Sequence, residues 1–288
     1  MKIITSVVNN PIFIEIQHKL LKKYVRGGEY EFIVFNDAKM FPDYTNDGDI
    51  SIRDKIIETC KKLDIKCINM ENDNHKDITQ ASVRTATVMN AIHKYQMDNP
   101  DRYLIIDSDM FLIDYMDINR YDGYKIAFVL QSREDHRYMW NGLIYMDMRI
   151  VDDFNDINWS LTYNTDTGGM TRDYLERNIK IDELSGCIIP TAEEIRWNKG
   201  GIYNKGKLYY IKHLWSMTWD NNELPENLRT NNKLINYLNQ DIRNKDNKYF
   251  CEIYDDIFLH YRNGGNWMGE GLKFHNQMSN KLIKVFDE

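Results

Sequence analysis

The sequence predicts an α/β protein with a mainly parallel central sheet flanked by helices and an antiparallel extension on its later side. Three observations carry this. Over the first 113 residues, apolar β-branched runs alternate with stretches of helical period. The strand candidates are near-continuous apolar runs, as expected of strands buried on both faces of a parallel sheet. After residue 113 the alternation stops, and two strands follow one another across a charged loop.

The elements read in order. IITSVV (3–8) is a buried strand that runs through Asn9-Asn10-Pro11 into a helix over about 12–25. Ile12, Ile16, Leu20 and Tyr24 share one face of that helix, and Gly27-Gly28 are placed to stop it. YEFIVFND (30–37) is the second strand. A helix near 51–62 carries Ile52, Ile56, Ile57 and Cys60, and KCINM (66–70) is a short third strand. The stretch 82–98 stacks Val83, Thr87, Ala91 and Tyr95 along one side of a helix, and RYLIIDSDMFLI (102–113) follows as the fourth strand. YKIAFVLQS (124–132) and NGLIYMDM (141–148) form the antiparallel extension. From 151 onward Trp, Tyr, Asn and Asp dominate, as in INWSLTYNTDTGGMTRDYLERN and IKHLWSMTW. Such a mixture suits a sugar-like ligand, whose apolar faces stack on rings while amides and acids bind its hydroxyls; plain packing of an α+β half accounts for it equally well.

Composition narrows the function classes. With 288 residues and 42% hydrophobic content, the chain can bury one large core or two closely packed halves. The expectation is a single domain, with residues 1–115 as a nucleotide-binding half and 116–288 as an acceptor half. A net charge of −7 without a basic stripe argues against nucleic acid as a partner. The four cysteines, Cys60, Cys67, Cys187 and Cys251, contain no CxxC pair, so a zinc site is not expected and reduced structural thiols are. No apolar run approaches the ~20 residues that span a bilayer. MKIITSVVNN is too short and polar for a signal peptide. The expected location is the cytoplasm.

The chemistry centres on Asp107 and Asp109, one residue apart within an apolar run. Two carboxylates a few ångströms apart repel by roughly 4 kcal/mol at an effective dielectric near 20. A protein must protonate one, expose both or supply a cation. In a continuous strand, alternation puts both acids on one face and points Ser108 away. The site falls near the carboxyl edge of the sheet, where α/β proteins bind ligands. Hard oxygens at that spacing suit Mg²⁺ or Mn²⁺, with positions left over for phosphate and water. A solvated turn is the alternative for an isolated DxD.

In the order TSVVNN, FIVFND, SVRTATVMNAI, YLIIDSDMFL, NGLIYMD and FLHYRNGGNW (258–267), the chain resembles the nucleotide-sugar-dependent glycosyltransferases of the GT-A fold. Family eight and related viral and bacterial sugar transferases are the most similar group. The resemblance covers most of the chain in element order, but only a few short stretches in residues. It implies a metal-dependent hexosyltransferase-like enzyme that moves a sugar from a nucleotide-sugar donor, with UDP as nucleotide, to a glycan or other hydroxyl acceptor. Under it, Asp107, Asp109 and His260 hold Mn²⁺ or Mg²⁺. Val8, Asn36, Asp37, Arg84, Asp107, Ser108, Asn141, Gly264 and Gly265 contact the donor, the two glycines by letting backbone approach the diphosphate. Arg84 also steadies the donor in catalysis, and a surface pair is its bland alternative. Asp166, in a Gly-rich turn near Asp173, is the candidate to orient or deprotonate the acceptor, with a plain turn acid as the commoner alternative. GGNW departs from the family's Lys-Pro-Trp ending, which leaves subfamily and donor open. His213 competes with His260 as a ligand, but its aromatic surroundings favour a core role. His275 reads as structural or solvated.

Rival classes remain. A haloacid-dehalogenase-type phosphatase also ends a strand with DxD, but near its N-terminus and with Thr or Val where Phe111 stands here. No GxxxxGK[ST] stretch or GxGxxG after the first strand supports an NTPase or dehydrogenase. A binding protein that kept the fold and lost turnover is the non-enzyme alternative.

Overall fold

The apolar runs of the first half form strands where composition places them. The computed structural model describes residues 1–133, 136–178, 197–198, 201–203, 208–264 and 270–286. The first half contains β1 (Lys2–Val7), α1 (Pro11–Tyr24), β2 (Val25–Arg26), β3 (Glu31–Asn36), α2 (Ile52–Lys62), β4 (Lys66–Asn69), α3 (Ala81–Asp98) and β5 (Arg102–Ile106). Then come β6 (Met110–Leu112), β7 (Met116–Asp117), β8 (Ile126–Arg133), β9 (His136–Asp147) and α4 (Thr171–Asn178). The later elements are β10 (Trp197–Asn198), β11 (Gly201–Tyr203), β12 (Leu208–Tyr210), β13 (His213–Leu214), α5 (Asn232–Asn239), β14 (Glu252–Tyr254), β15 (Phe258–His260) and α6 (Glu270–Phe286).

The central sheet has the order β11-β12-β8-β9-β5-β1-β3-β4. Its β5-β1-β3-β4 portion is wholly parallel, and β9 and β8 extend it antiparallel. This is the expected α/β class. The continuous apolar strands are explained by helices on both faces. Leu104 and Ile106 of β5 pack with Ile14 of α1 and Ile56 of α2, while Tyr103 and Ile105 pack with Val88 and Ile92 of α3. A second, antiparallel sheet, β10-β13-β14-β15-β6, covers the opposite side of α1, where Phe13, Ile16 and Leu20 meet Phe111, Ile253 and Leu259. Each sheet takes strands from both sides of residue 115, so a boundary there does not separate them.

Pro11 starts α1, where its fixed φ and missing N–H cost nothing. The helix ends at Tyr24, before the expected Gly27-Gly28 stop, because Val25 and Arg26 leave to pair in parallel with Met116 and Asp117. Gly27 instead makes the turn after that pair with φ +85°. Cys60 and Cys251 are buried free thiols and Cys67 is a half-buried one, while Cys187 lies outside the described residues. Among the described residues, no helix is long and apolar enough to cross a membrane.

Burial also keeps histidines neutral. It drives His93, His213 and His275 each down to about 4. Their folded values lie below the unfolded value near 6.5, so unfolding takes up protons. Stability present at neutral pH is therefore lost as pH falls from about 6.5 toward 4. Asp107, pushed up to about 6 by burial and then by Asp109, opposes this with one proton over the same window. His93 lies flat on Phe154, with ring centroids 3.8 Å apart. His93→Phe should keep that packing and flatten the acid limb, the difference reaching about 3 kcal/mol at pH 4. Calorimetric unfolding from pH 7 to 4 checks this, and identical pH profiles for the two proteins would contradict it.

Candidate active site

The run 102–113 is not one strand. β5 stops at Ile106, and Asp107, Ser108 and Asp109 form a turn closed by Met110 N–H donating to Asp107 O at 3.1 Å. β6 then leaves for the other sheet, so alternation does not govern the acids, and Ser108 lines the same cavity as both of them. The turn is fixed from three sides. Buried Gln17 of α1 donates through Nε2 to Asp107 O (2.8 Å) and Met110 O (3.0 Å). Asp107 N–H donates to Gly142 O of β9 at 2.8 Å. β15 pairs with β6, placing His260 opposite Met110, and Tyr261 N–H reaches Asp109 O at 2.9 Å. One atom each of Asp107, Asp109 and His260 thereby lies within 4.8 Å of the others, a group that could hold a metal ion.

Electrostatics couple these residues to a fourth. His260 Nε2 is 3.1 Å from Asp109 Oδ1, and Nδ1 is 2.7 Å from Glu252 Oε2. Burial opposes charge on His260, yet the Asp109 and Glu252 carboxylates push it up to about 10. Burial likewise opposes ionisation of Asp109, but His260 and the Gly264 N–H hold its carboxyl below the usual range. Asp107, whose donors among the described residues are the Ser108 N–H and hydroxyl alone, is pushed upward by burial and by Asp109. Buried Glu252 also accepts from Tyr254 Oη (2.8 Å) and Ser216 N (3.1 Å). Two carboxylates and an imidazole fit a divalent cation such as Mn²⁺ or Mg²⁺. With its Nδ1–H donated to Glu252, His260 presents Nε2, the carboxylate–histidine arrangement that orients metal ligands. A glycine is required at 264, since its N–H donates to Asp109 Oδ2 at 2.8 Å and a Cβ would stand 2.6 Å from Phe13.

The group sits in a cavity of about 370 Å³ that Val8, Asp37, Arg84, Asn141, Asp166 and Gly264 also line. Asn36 is the exception. Its buried side chain turns away, donating to Arg53 O (3.1 Å) and Asn69 Oδ1 (3.0 Å), and so fastens the end of β3 rather than lining the cavity. Asp37 is held by Lys39 Nζ (2.6 Å) and Asn72 Nδ2 (3.0 Å). Arg84 is neither a surface pair nor a loose cation. It is buried, with Nη1 on Asp43 Oδ2 (2.5 Å), Nη2 on His75 O (2.7 Å) and Nε on Ile78 O (2.6 Å). Asp166 accepts from Ser82 Oγ, Thr167 N (2.9 Å) and Arg133 Nη2 (3.3 Å). Asp173 lies in the first turn of α4. His213 stacks on Tyr254 in the core, and His275 is buried with Nδ1 on Tyr261 Oη at 2.8 Å, not solvated. Gly265 lies outside the described residues. The sequence reading missed Gln17 and Glu252. Neither stands in a motif; each is visible only as a polar residue in an apolar setting.

No protein-family model and no curated protein matches the chain. Among solved structures it is similar to an active-site mutant of LgtC, with 14% identity and a TM-score of 0.35 over 54% of this chain and 61% of that one. It is also similar to the galactosyltransferase LgtC in complex with donor and acceptor sugar analogues, with 12% identity and a TM-score of 0.41 over 97% and 95% of the two chains. Likeness at such levels does not carry function from one protein to another.

Removing the partner that orients His260 should be felt at the metal group. Glu252→Gln is expected to weaken Mn²⁺ binding by about 10- to 100-fold. Titration followed by Mn²⁺ electron paramagnetic resonance reads this, with the melting temperature as a folding control. Unchanged Mn²⁺ affinity in a folded variant would remove Glu252 from the site.

Proposed function

We propose that this protein is a metal-dependent glycosyltransferase of the GT-A type, moving a sugar from a nucleotide-sugar donor, with UDP as nucleotide, to a glycan or other hydroxyl acceptor. Family eight itself is not part of the proposal; cytoplasmic location is. The observation that carries it is the convergence of Asp107, Asp109 and His260 within 4.8 Å, in a cavity at the carboxyl ends of β1, β3 and β5. Ligands of open α/β sheets bind at that edge. Asp107, Asp109 and His260 would hold a divalent cation, which when bound would supply the positive charge that a departing diphosphate requires.

The chain's own residues do the rest. Val8, Asp37 and Ser108 line the cavity at the ends of β1, β3 and β5 and take the nucleoside. Gly264 brings backbone close to Asp109, and Asn141 flanks the sugar. Trp140, stacked on Tyr254, and Trp215 line the same space and give it apolar surface for a sugar. Arg84 works from a fixed position, since its donors are engaged by Asp43, His75 and Ile78; it holds the cavity wall. Asp166 already accepts from Ser82, Thr167 and Arg133, which suits a tie between its turn and α3 better than a proton acceptor. The mechanism we favour is therefore retention, with the acceptor attacking from the side of the leaving group and no strong base opposite.

Calorimetric titration of UDP, GDP and their sugars with and without Mn²⁺ tests the assignment. Binding should need the metal, and Asp109→Ala should abolish the metal-dependent part; tight binding that ignores both would sink the proposal. In transfer assays Asp109→Asn should be inactive, while Asp166→Asn should slow turnover by less than about tenfold. A general base is worth about 10²–10⁴ in rate. A loss in that range for Asp166→Asn, with donor binding intact, would mean inversion with Asp166 as base.

A further inference from the structure

The cations lining the cavity are unequally committed. Lys39 is held by Asp37 at 2.6 Å, Arg84 by Asp43 at 2.5 Å and Arg133 by Asp166 at 3.3 Å. Arg262 differs. The carboxylate beside it, Glu252, is 3.7 Å from Nε and already accepts from His260, Tyr254 and Ser216. Among the described residues, the Arg262 guanidinium makes no hydrogen bond, although it lies between the rings of Phe250 (5.2 Å) and Trp215 (6.0 Å) and is 33% exposed.

The backbone that carries it takes a left-handed turn, a conformation shared with Asp246-Asn247 and Asp255-Asp256. Arg262 (φ +67°) and Asn263 (φ +58°) are consecutive non-glycine residues in the left-handed region. Such strain persists only where the surroundings impose it, and it gathers at ligand sites. Here Arg243 imposes it, donating through Nη1 to Arg262 O (2.7 Å) and through Nη2 to Tyr261 O (3.1 Å). Asp241 in turn holds Arg243, accepting from Nη2 at Oδ2 (2.7 Å) and from Nε and the backbone N–H at Oδ1 (2.9 and 3.0 Å). Gly264 then closes the turn onto Asp109 at 2.8 Å. A guanidinium without a hydrogen bond is thus carried on a held turn two residues from His260, in the wall of the same cavity.

We propose that Arg262 is the side chain that binds the donor's diphosphate, alongside the Asp107–Asp109–His260 group; this rests on the nucleotide-sugar assignment above. A guanidinium presents paired donors in a plane that matches phosphate oxygens, and its weak hydration favours a half-buried anion site. Leaving Glu252 for phosphate costs Arg262 only a 3.7 Å contact, and Glu252 keeps its three other donors.

The test compares UDP and GDP with UMP and GMP by calorimetry in Mn²⁺, using wild type, Arg262→Gln and Arg262→Lys. Losing a charge-assisted hydrogen bond should weaken the diphosphate by about 10- to 100-fold. The matching monophosphate should change by less than about threefold, Arg262→Lys should recover part of the loss, and binding of Mn²⁺ alone should not weaken. Equal losses for diphosphate and monophosphate, or no loss at all, would overturn the role of Arg262 while leaving the nucleotide-sugar assignment standing. If wild type binds neither UDP nor GDP, the assignment itself fails, and the inference with it.

Discussion

The proximity of Asp107 and Asp109 is the constraint around which the molecule is arranged. Their charges cannot both be buried unanswered. The chain meets this by ending β5 at Ile106, turning through the acids and sending β6 into a second sheet. That switch puts α1 between two sheets, with Leu21 facing one core and Leu20 the other. It also places β15 beside β6, so that His260 arrives at Asp109 through strand pairing rather than through a loop. The long-range architecture and the local electrostatics are thus one problem with one solution.

The answer to that repulsion is graded. Asp109 has His260 and the Gly264 N–H, so its carboxyl lies below the usual range, while Asp107 has only the Ser108 N–H and hydroxyl and moves up to about 6. His260 stands between Asp109 and Glu252 and holds a proton that a metal would have to displace from Nε2. Around them, Gln17, Arg243 and Asp241 touch no cavity atom in any reactive sense, yet they fix the turns at 107–110 and 261–264. Sites whose supporting groups are locked in this way lose little energy reorganising when a ligand arrives.

Much of the fold was legible because the first half obeys simple periodicity. Apart from the two-residue β2, the strand and helix positions from β1 to α3 follow the apolar runs to within one or two residues, since β1 and β3 are buried on both faces and even the half-buried edge strand β4 is bounded by its polar ends, Lys66 and Asn69. The second sheet was not legible. Its strands span two or three residues each, too few to show alternation, and β6 pairs with β15 across most of the chain. The break at Asp107 was hidden for a related reason: the residues on both sides are equally apolar, so composition continues where the strand does not. Site residues divide likewise. A motif marks Asp107, Asp109 and His260, whereas Glu252 is one acid among several in CEIYDD, and only β14–β15 register shows that it stands opposite His260. Asn36 misled because a polar residue at a strand end can face the cavity or brace the sheet, and one sequence does not distinguish the two.

The internal pairing of Lys39, Arg84 and Arg133 bears on how such a cavity would fill. Each neutralises a neighbouring carboxylate, so together they leave little net field for an incoming anion. The remaining charge is concentrated at Asp107, Asp109 and Glu252, set against the His260 imidazolium and the Arg262 guanidinium 3.7 Å from Glu252, so the group stays net negative. A diphosphate approaching that group without a cation meets like charge in a partly desolvated space, where the repulsion is screened far less than at the surface. With a divalent cation in place, the sign of the local potential reverses and the same geometry attracts. Under the proposed assignment, metal before nucleotide would therefore be the order that the charges of the cavity favour, and an anion arriving with its cation already bound would meet the same condition.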